Sequence, residues 1–264
     1  MDHPPDVRSF LKTTVALVAG TRERIVRIEA KSDVRLSLVA DTNEWKSRMA
    51  RPRIDTMVSA FLRAIELGCF TGAETLAPTV LATMERVDPP LAFQGWEVSL
   101  PALPEGAFDA LVRMAGFAAM NGSGLHALTI EEKAPPELPR ITQSGLTPLR
   151  APDPPFAVEF HLREDEKKKL GLMFTFVQDP QGPTVVAVRA LLEGWAQVLS
   201  FGGFPPARSL PWSTGFLADV SGHLPEEIVA TVEFFSGKKE AWDALLRGLC
   251  GVHARQPVER VEIG

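Results

Sequence analysis

The 264-residue sequence has no tyrosine, two cysteines, two asparagines and no apolar run approaching the about 18 residues of a membrane span. Each shortage excludes something. Two cysteines cannot build a disulfide framework, and structural zinc sites need four ligands at close spacing. Cys69 and Cys250 fall on predicted helices and read as buried free thiols, which suits a reducing cytoplasm. The absence of tyrosine removes one common acid/base and interface residue. Positive charge is also short: 28 Lys and Arg stand against 33 Asp and Glu, a net charge of -5. A nucleic-acid protein needs a basic surface to meet phosphates, so that class is not expected.

The catalytic and cofactor signatures are missing too. There is no GxSxG elbow, Walker loop or GxGxxG, and no HxH, HExxH or CxxC spacing. No metal and no cofactor is expected. Thr13–Gly20 is similar to the apolar core of a signal peptide, but it is short and charges crowd both sides, so secretion is not expected. A cytoplasmic protein with no membrane partner is expected. Hydrophobic content of 45% and charged content of 23% are ordinary globular values. The preference for Arg over Lys, with abundant Ala and Pro, leads to the expectation of a GC-rich bacterial genome.

What is present is a repeat. Ala107–Arg113 reads AFDALVR and Ala241–Arg247 reads AWDALLR. Arg63-Ala64-Ile65 and Arg189-Ala190-Leu191 form a second match, in the same order. Phe108/Trp242, Leu111/Leu245 and Val112/Leu246 are inward positions of one helix used twice. Asp109/Asp243 and Arg113/Arg247, at i and i+4, are expected to form an outward ion pair.

In chain order, residues 1–12 are expected as a loose arm or short helix. Strands are predicted at Thr13–Ala19, Ile25–Ala30 and Val34–Ala40, the last two closed into a hairpin by Lys31-Ser32-Asp33. Asp41–Arg53 reads as a loop, and a helix starts with Asp55 as N-cap. Leu76–Val87 is predicted as a short helix, Phe93–Leu100 as a strand, Glu105–Met120 as a helix and Leu125–Glu131 as a strand. Ala134–Pro155 holds seven prolines and reads as an extended linker. The order then recurs. Ala157–Leu162 and Leu170–Gln178 are paired strands across the charged turn Arg163–Lys169, and a helix starts at Pro183. Phe204–Glu227 is a long connection, Ile228–Phe235 a strand, Lys239–Val252 a helix and Val258–Ile263 a closing strand.

These elements predict an α+β fold built by tandem duplication of a strand-strand-helix-strand-helix-strand unit. Residues 1–133 hold the first copy (core 25–131), 134–155 the linker and 156–264 the second copy (core 157–263). Each copy is expected to carry a mixed sheet of about four strands with helices on one face, the two sheets separate or merged at their edges. Strand–helix–strand steps are expected to make parallel pairs. The order differs from that of ferredoxin-like domains, so that fold is not assigned.

The stretches unmatched between the copies are the candidate binding regions. Asp41–Arg53 combines Trp45 with Lys46, Arg48, Arg51 and Arg53, and Trp and Arg are interface anchors. Phe204–Glu227 carries Trp212, Phe216 and the loop histidine His223. Glu159 and His161 share a strand face and read either as an acid/base pair or as a hydrogen-bonded surface. The leading functional expectation is a non-catalytic bacterial cytoplasmic interaction protein, of immunity or adaptor type, that binds a protein partner. Two alternatives stand beside it: an enzyme or ligand-binding protein with its site between the halves, and a structural subunit forming homo-oligomers.

Overall fold

The computed structural model describes residues 10–16, 26–27, 34–40, 50–70, 79–86, 92–99, 106–133, 142–143, 153–161, 169–206, 213–222 and 225–264. The first sequence half supplies β1 (Phe10–Ala16), β2 (Val26–Arg27), β3 (Val34–Ala40), α1 (Ala50–Glu66), β4 (Thr79–Arg86), β5 (Ala92–Ser99), α2 (Ala107–Ala118) and β6 (Leu125–Lys133). A π-helical turn, Ala119–Ser123, ends α2, and Gly124 closes it at φ 69°. Next come β7 (Thr142–Gln143), β8 (Ala157–Phe160), β9 (Lys169–Phe176), α3 (Gly182–Ser200), β10 (Phe216–Gly222), β11 (Glu227–Glu233), α4 (Lys239–His253) and β12 (Val258–Ile263). The fold is α+β, as the sequence predicts.

Two separate five-stranded sheets organise these elements. The first runs β1-β6-β3-β5-β4 and the second, read in the matching direction, β8-β12-β9-β11-β10. In both, the strand before the first helix (β3, β9) is central. The strand after the last helix (β6, β12) flanks it on one side. The strand before that helix (β5, β11) flanks it on the other. β4 and β10 form the corresponding edges, and each skips one residue near its start, between Val80 and Ala82 and between Leu217 and Asp219. The sheets differ at the opposite edge. β1 lies antiparallel on β6, whereas β8 lies parallel on β12. The second sheet is therefore mixed, while the described pairs of the first are all antiparallel.

Several expectations are corrected by this topology. The opening hairpins do not form. β2 pairs with β7, through Val26↔Gln143 and Arg27↔Thr142, and β8 and β9 each pair with β12. β3 takes β5 and β6 as its two neighbours instead. It buries Leu36 and Leu38, and also Ser37, so its alternation does not mark a half-buried strand. The strand–helix–strand steps do not make adjacent parallel pairs. β3 lies between β5 and β6, and β9 between β11 and β12. The stretch predicted as a helix over Leu76–Val87 contains strand β4, and the long connection Phe204–Glu227 contains strand β10. Both are edge strands that expose residues on both faces, so neither shows the alternation by which a strand is recognised. Helix α1 begins at Ala50 with Pro52 in its first turn, where a missing N–H costs nothing, so Asp55 is not its cap and Arg51 to Arg53 are helical. Residues 10–12, expected in an arm, belong to β1.

The chain divides into two compact units, and the division does not follow chain order. Met1–Ile54, Pro78–Leu103 and Ala118–Thr147 form one; Asp55–Ala77, Pro104–Phe117 and Pro148–Gly264 form the other. In the first unit, Leu36, Leu38, Trp96, Val98 and Leu128 are buried, and Arg35 faces Glu97 across β3 and β5 at 3.5 Å.

The second unit is built around Trp195 of α3, which is fully buried. Its ring lies 5.6 Å from Trp242 and 6.1 Å from Phe235, and Phe235 stacks on Trp242 at 4.3 Å. Such aromatic pairs contribute about 0.5–1.5 kcal/mol beyond area burial. Glycines allow the helices to close up. A Cβ on Gly248 of α4 would sit 2.3 Å from Leu191 Cδ1 of α3, and one on Gly194 of α3 would meet Leu67 Cδ1, just past α1, at 3.0 Å. Met114 and Phe117 of α2 lie against Gly203 and Gly202, where α3 ends.

This packing corrects the outward placement expected of the motif's ion pair in the second copy, whereas in the first copy Asp109 does act on Arg113. Ala241 to Leu246 are all buried, including Asp243 at 5% exposure. Burial holds the Arg113 guanidinium below its ordinary range, against the opposing pull of Asp109 and of Glu240 on α4. The motif is buried nearly all round because α4 is covered on more than one side, which a single-face helical stripe does not anticipate.

Candidate functional site

Along α3, Arg189, Glu193, Gln197 and Ser200 recur at helical spacing on the side opposite the Trp195 core. Strand β10 runs beside them. Between the two lies an open groove of about 450 Å³, lined by these four residues and by Phe216 to Val220. Gly215 lets the strand start close to the helix, since a Cβ there would fall 2.3 Å from Leu199 Cδ2. Further along the groove, Arg189 Nη2 donates to the Val220 carbonyl at 3.1 Å. Arg189, Glu193 and Asp219 give it a rim of both signs, and it lies on the edge of the second sheet.

At its mouth two phenylalanines stand in solvent. Phe216 is 56% exposed and Phe234 55%. Their rings meet edge to face, with centroids 6.5 Å apart and planes at 82°. The alternation along β11 buries Ile228, Ala230 and Val232, and its continuation would turn Phe234 inward. Instead Phe234 has φ 55°, and it is the one non-glycine residue with positive φ among those described. The left-handed turn sends Phe234 outward and leaves Phe235 to stack on the tryptophans. A clasp fixes it. Thr214 Oγ1 donates to the Phe234 carbonyl at 2.9 Å, Thr214 N to Ser236 Oγ at 2.8 Å, and Ser236 N to the Thr214 carbonyl at 2.9 Å. A left-handed conformation at a bulky residue costs about 1–2 kcal/mol, so the surroundings impose it.

Of the residues singled out in the sequence, Phe216 lies in this groove. Arg53 is exposed on α1, and Arg51 lies in the first turn of that helix. Trp45, Lys46, Arg48, Trp212 and His223 lie outside the described residues. Phe234 was not foreseen. Its only sequence signal is the doubled Phe234-Phe235, which forces one ring out of register wherever a strand ends.

Glu159 and His161 do share a face, as their spacing implies. His161 Nε2 is 3.4 Å from Glu159 Oε2 and 3.7 Å from Glu262 Oε2 on the neighbouring strand β12. All three side chains are accessible to water, so the group forms an open surface and not a buried acid/base cleft. Both cysteines are free. Burial pushes the Cys69 thiol up to about 12 and raises that of Cys250 as well, which makes both poor nucleophiles.

No protein-family model matches the chain, and no curated protein is similar to it. Among the described residues, no helix is long and apolar enough to cross a membrane. The groove is open, with Phe216 in its lining, Phe234 beside that ring and a mixed-charge rim.

Proposed function

We propose that this protein is a non-catalytic interaction protein, of adaptor or immunity type in a bacterial cytoplasm, and that it recognises a protein partner through the β10 edge and the Phe216–Phe234 pair. The observation that carries this reading is the conformation of Phe234. A bulky residue is held at φ 55° by the Thr214–Ser236 clasp, and the result is an aromatic ring exposed beside another. Strain of this kind persists where it serves a function. Aromatic residues are also the side chains most often enriched at the centres of protein interfaces. The acidic composition and the lack of catalytic signatures support the same reading. The shared strand order of the two sheets supports descent of the scaffold from a duplicated unit, in which the second copy carries the recognition surface.

A photo-crosslinking residue placed at 216 or 234 in the native cell tests this. One discrete crosslinked species is expected from both positions and none from Val177, which is equally exposed on the turn after β9. Equal crosslinking at all three positions would overturn the reading.

A further inference from the structure

The outer edge of the second sheet carries a second arrangement, unrelated to the aromatic groove. Glu159 and Glu262 are register partners on the parallel strands β8 and β12. His161 continues the β8 ladder by one residue, its N–H donating to the Ile263 carbonyl at 2.7 Å. Gly264 N and O bond Gly171 O and N at 2.9 and 2.7 Å, which fastens the end of β12 to β9. The three side chains therefore rise from a paired backbone. Their ligand atoms all lie within 4.8 Å of one another.

The two carboxylates are divided in use. Each turns Oε2 toward His161 Nε2, at 3.4 Å for Glu159 and 3.7 Å for Glu262. Each turns Oε1 toward Arg260, at 3.8 Å for Glu159 and 3.0 Å for Glu262. The arginine thus lies within ion-pair distance of one oxygen of each carboxylate, and the other oxygen of each faces the imidazole. That is the division of labour of ligands and their outer partners in metal sites. In a tetrahedral zinc site, bonds of about 2.0–2.1 Å place ligand atoms about 3.3–3.4 Å apart. The two distances to His161 Nε2 are close to that separation before any ion has drawn the ligands inward.

We propose that Glu159, His161 and Glu262 bind a borderline-soft transition-metal dication of the zinc type, one position being left open to water. An imidazole among the donors disfavours magnesium and calcium, which take oxygen ligands. No spacing in the sequence announces the group, because the strand pairing brings Glu262 to His161. The site is independent of the partner-binding reading, and its failure would leave that reading untouched.

Zinc chloride titrated by calorimetry into the metal-free full chain tests the proposal. The imidazole proton signals are followed by NMR in parallel. One equivalent is expected to bind and to move the His161 signals. Binding should weaken at least about tenfold in His161→Ala and in Glu262→Gln. Both residues lie on the surface, and the unchanged circular dichroism expected of each variant separates loss of a ligand from loss of the fold. Excess magnesium should leave the zinc isotherm unmoved. The proposal is overturned if the wild-type chain takes up no zinc, if the equivalent persists at full affinity in His161→Ala, or if magnesium displaces zinc.

Discussion

The indole nitrogen of Trp195 donates to the main-chain carbonyl of Ala241, 2.7 Å away in the buried interface of α3 and α4. Ala241 is the first residue of the repeated AWDALLR stretch, so the motif is anchored by a side chain from a different helix. Trp195→Phe should keep most of the apolar contact and lose this bond, at a cost of about 1–3 kcal/mol. Trp195→Ala should cost about 3–5 kcal/mol, the range for emptying a large aromatic site. Chemical denaturation checks both. Wild-type stability in Trp195→Phe would mean that the hydrogen bond contributes little, and equal stability of the two variants that the ring packing contributes little.

Gly248 and Gly182 should respond in opposite directions to the same change. Alanine normally stabilises a helix over glycine by about 1 kcal/mol. At Gly248 the added methyl would lie 2.3 Å from Leu191 Cδ1 and 3.3 Å from its Cγ, and Leu191 is itself buried. Overpacking of this kind costs about 1–3 kcal/mol, so Gly248→Ala should be net destabilising. Nothing lies within 4 Å of the same methyl at Gly182, and Gly182→Ala should be neutral or stabilising. Denaturant midpoints of the two variants decide the point.

Phe234→Gly separates stability from recognition. Glycine accepts φ 55° without strain, while the exposed ring contributes little to the core. Stability should be unchanged or higher by up to about 1 kcal/mol, and crosslinking through position 216 should be lost. A thermal melt beside the crosslinking experiment measures both. A variant that melts earlier yet still crosslinks would show that Phe234 is structural.

The Cys69 thiol gives a pH signature. Its value is about 12 in the folded chain against an ordinary 9.0, so between those values the unfolded chain loses the proton that the folded chain keeps. The thiol therefore leaves stability unchanged below pH 9 and lowers it progressively as pH rises toward about 12. With no tyrosine in the sequence, no phenol titrates over the same range. Cys69→Ala should shallow the alkaline decline of the denaturation midpoint. In native buffer near neutral pH, Cys69 should resist alkylation until the chain is unfolded.

The second half of the chain was the more legible. Strands β9, β11 and β12 and helices α3 and α4 stand within a residue or two of their predicted bounds, because a buried element must carry its apolar period in its own residues. Two of the four edge strands of these sheets escaped, and for one physical reason. β4 and β10 obtain their order from pairing with β5 and β11, and much of their side-chain surface stays in water, so Thr79–Arg86 and Phe216–Gly222 show little pattern. Pairing across the chain is likewise invisible to local reading. Val26–Arg27 meets Thr142–Gln143, not the adjacent strand. Phe216 could be singled out in a stretch that the sequence leaves unmatched, although the topology gives β10 a counterpart in β4. Phe234 could not, since its exposure follows from one backbone angle.

The skipped residues in β4 and β10 bear on self-association. An edge strand offers a row of unsatisfied donors and acceptors on which another strand can grow. A bulge near the start of each edge breaks the regular two-residue beat, so a flat second copy cannot continue the ladder along its whole length. On β10 the exposed Asp219 stands where the break ends, adding charge to the same stretch. Both edges thereby carry a built-in guard against indiscriminate sheet extension.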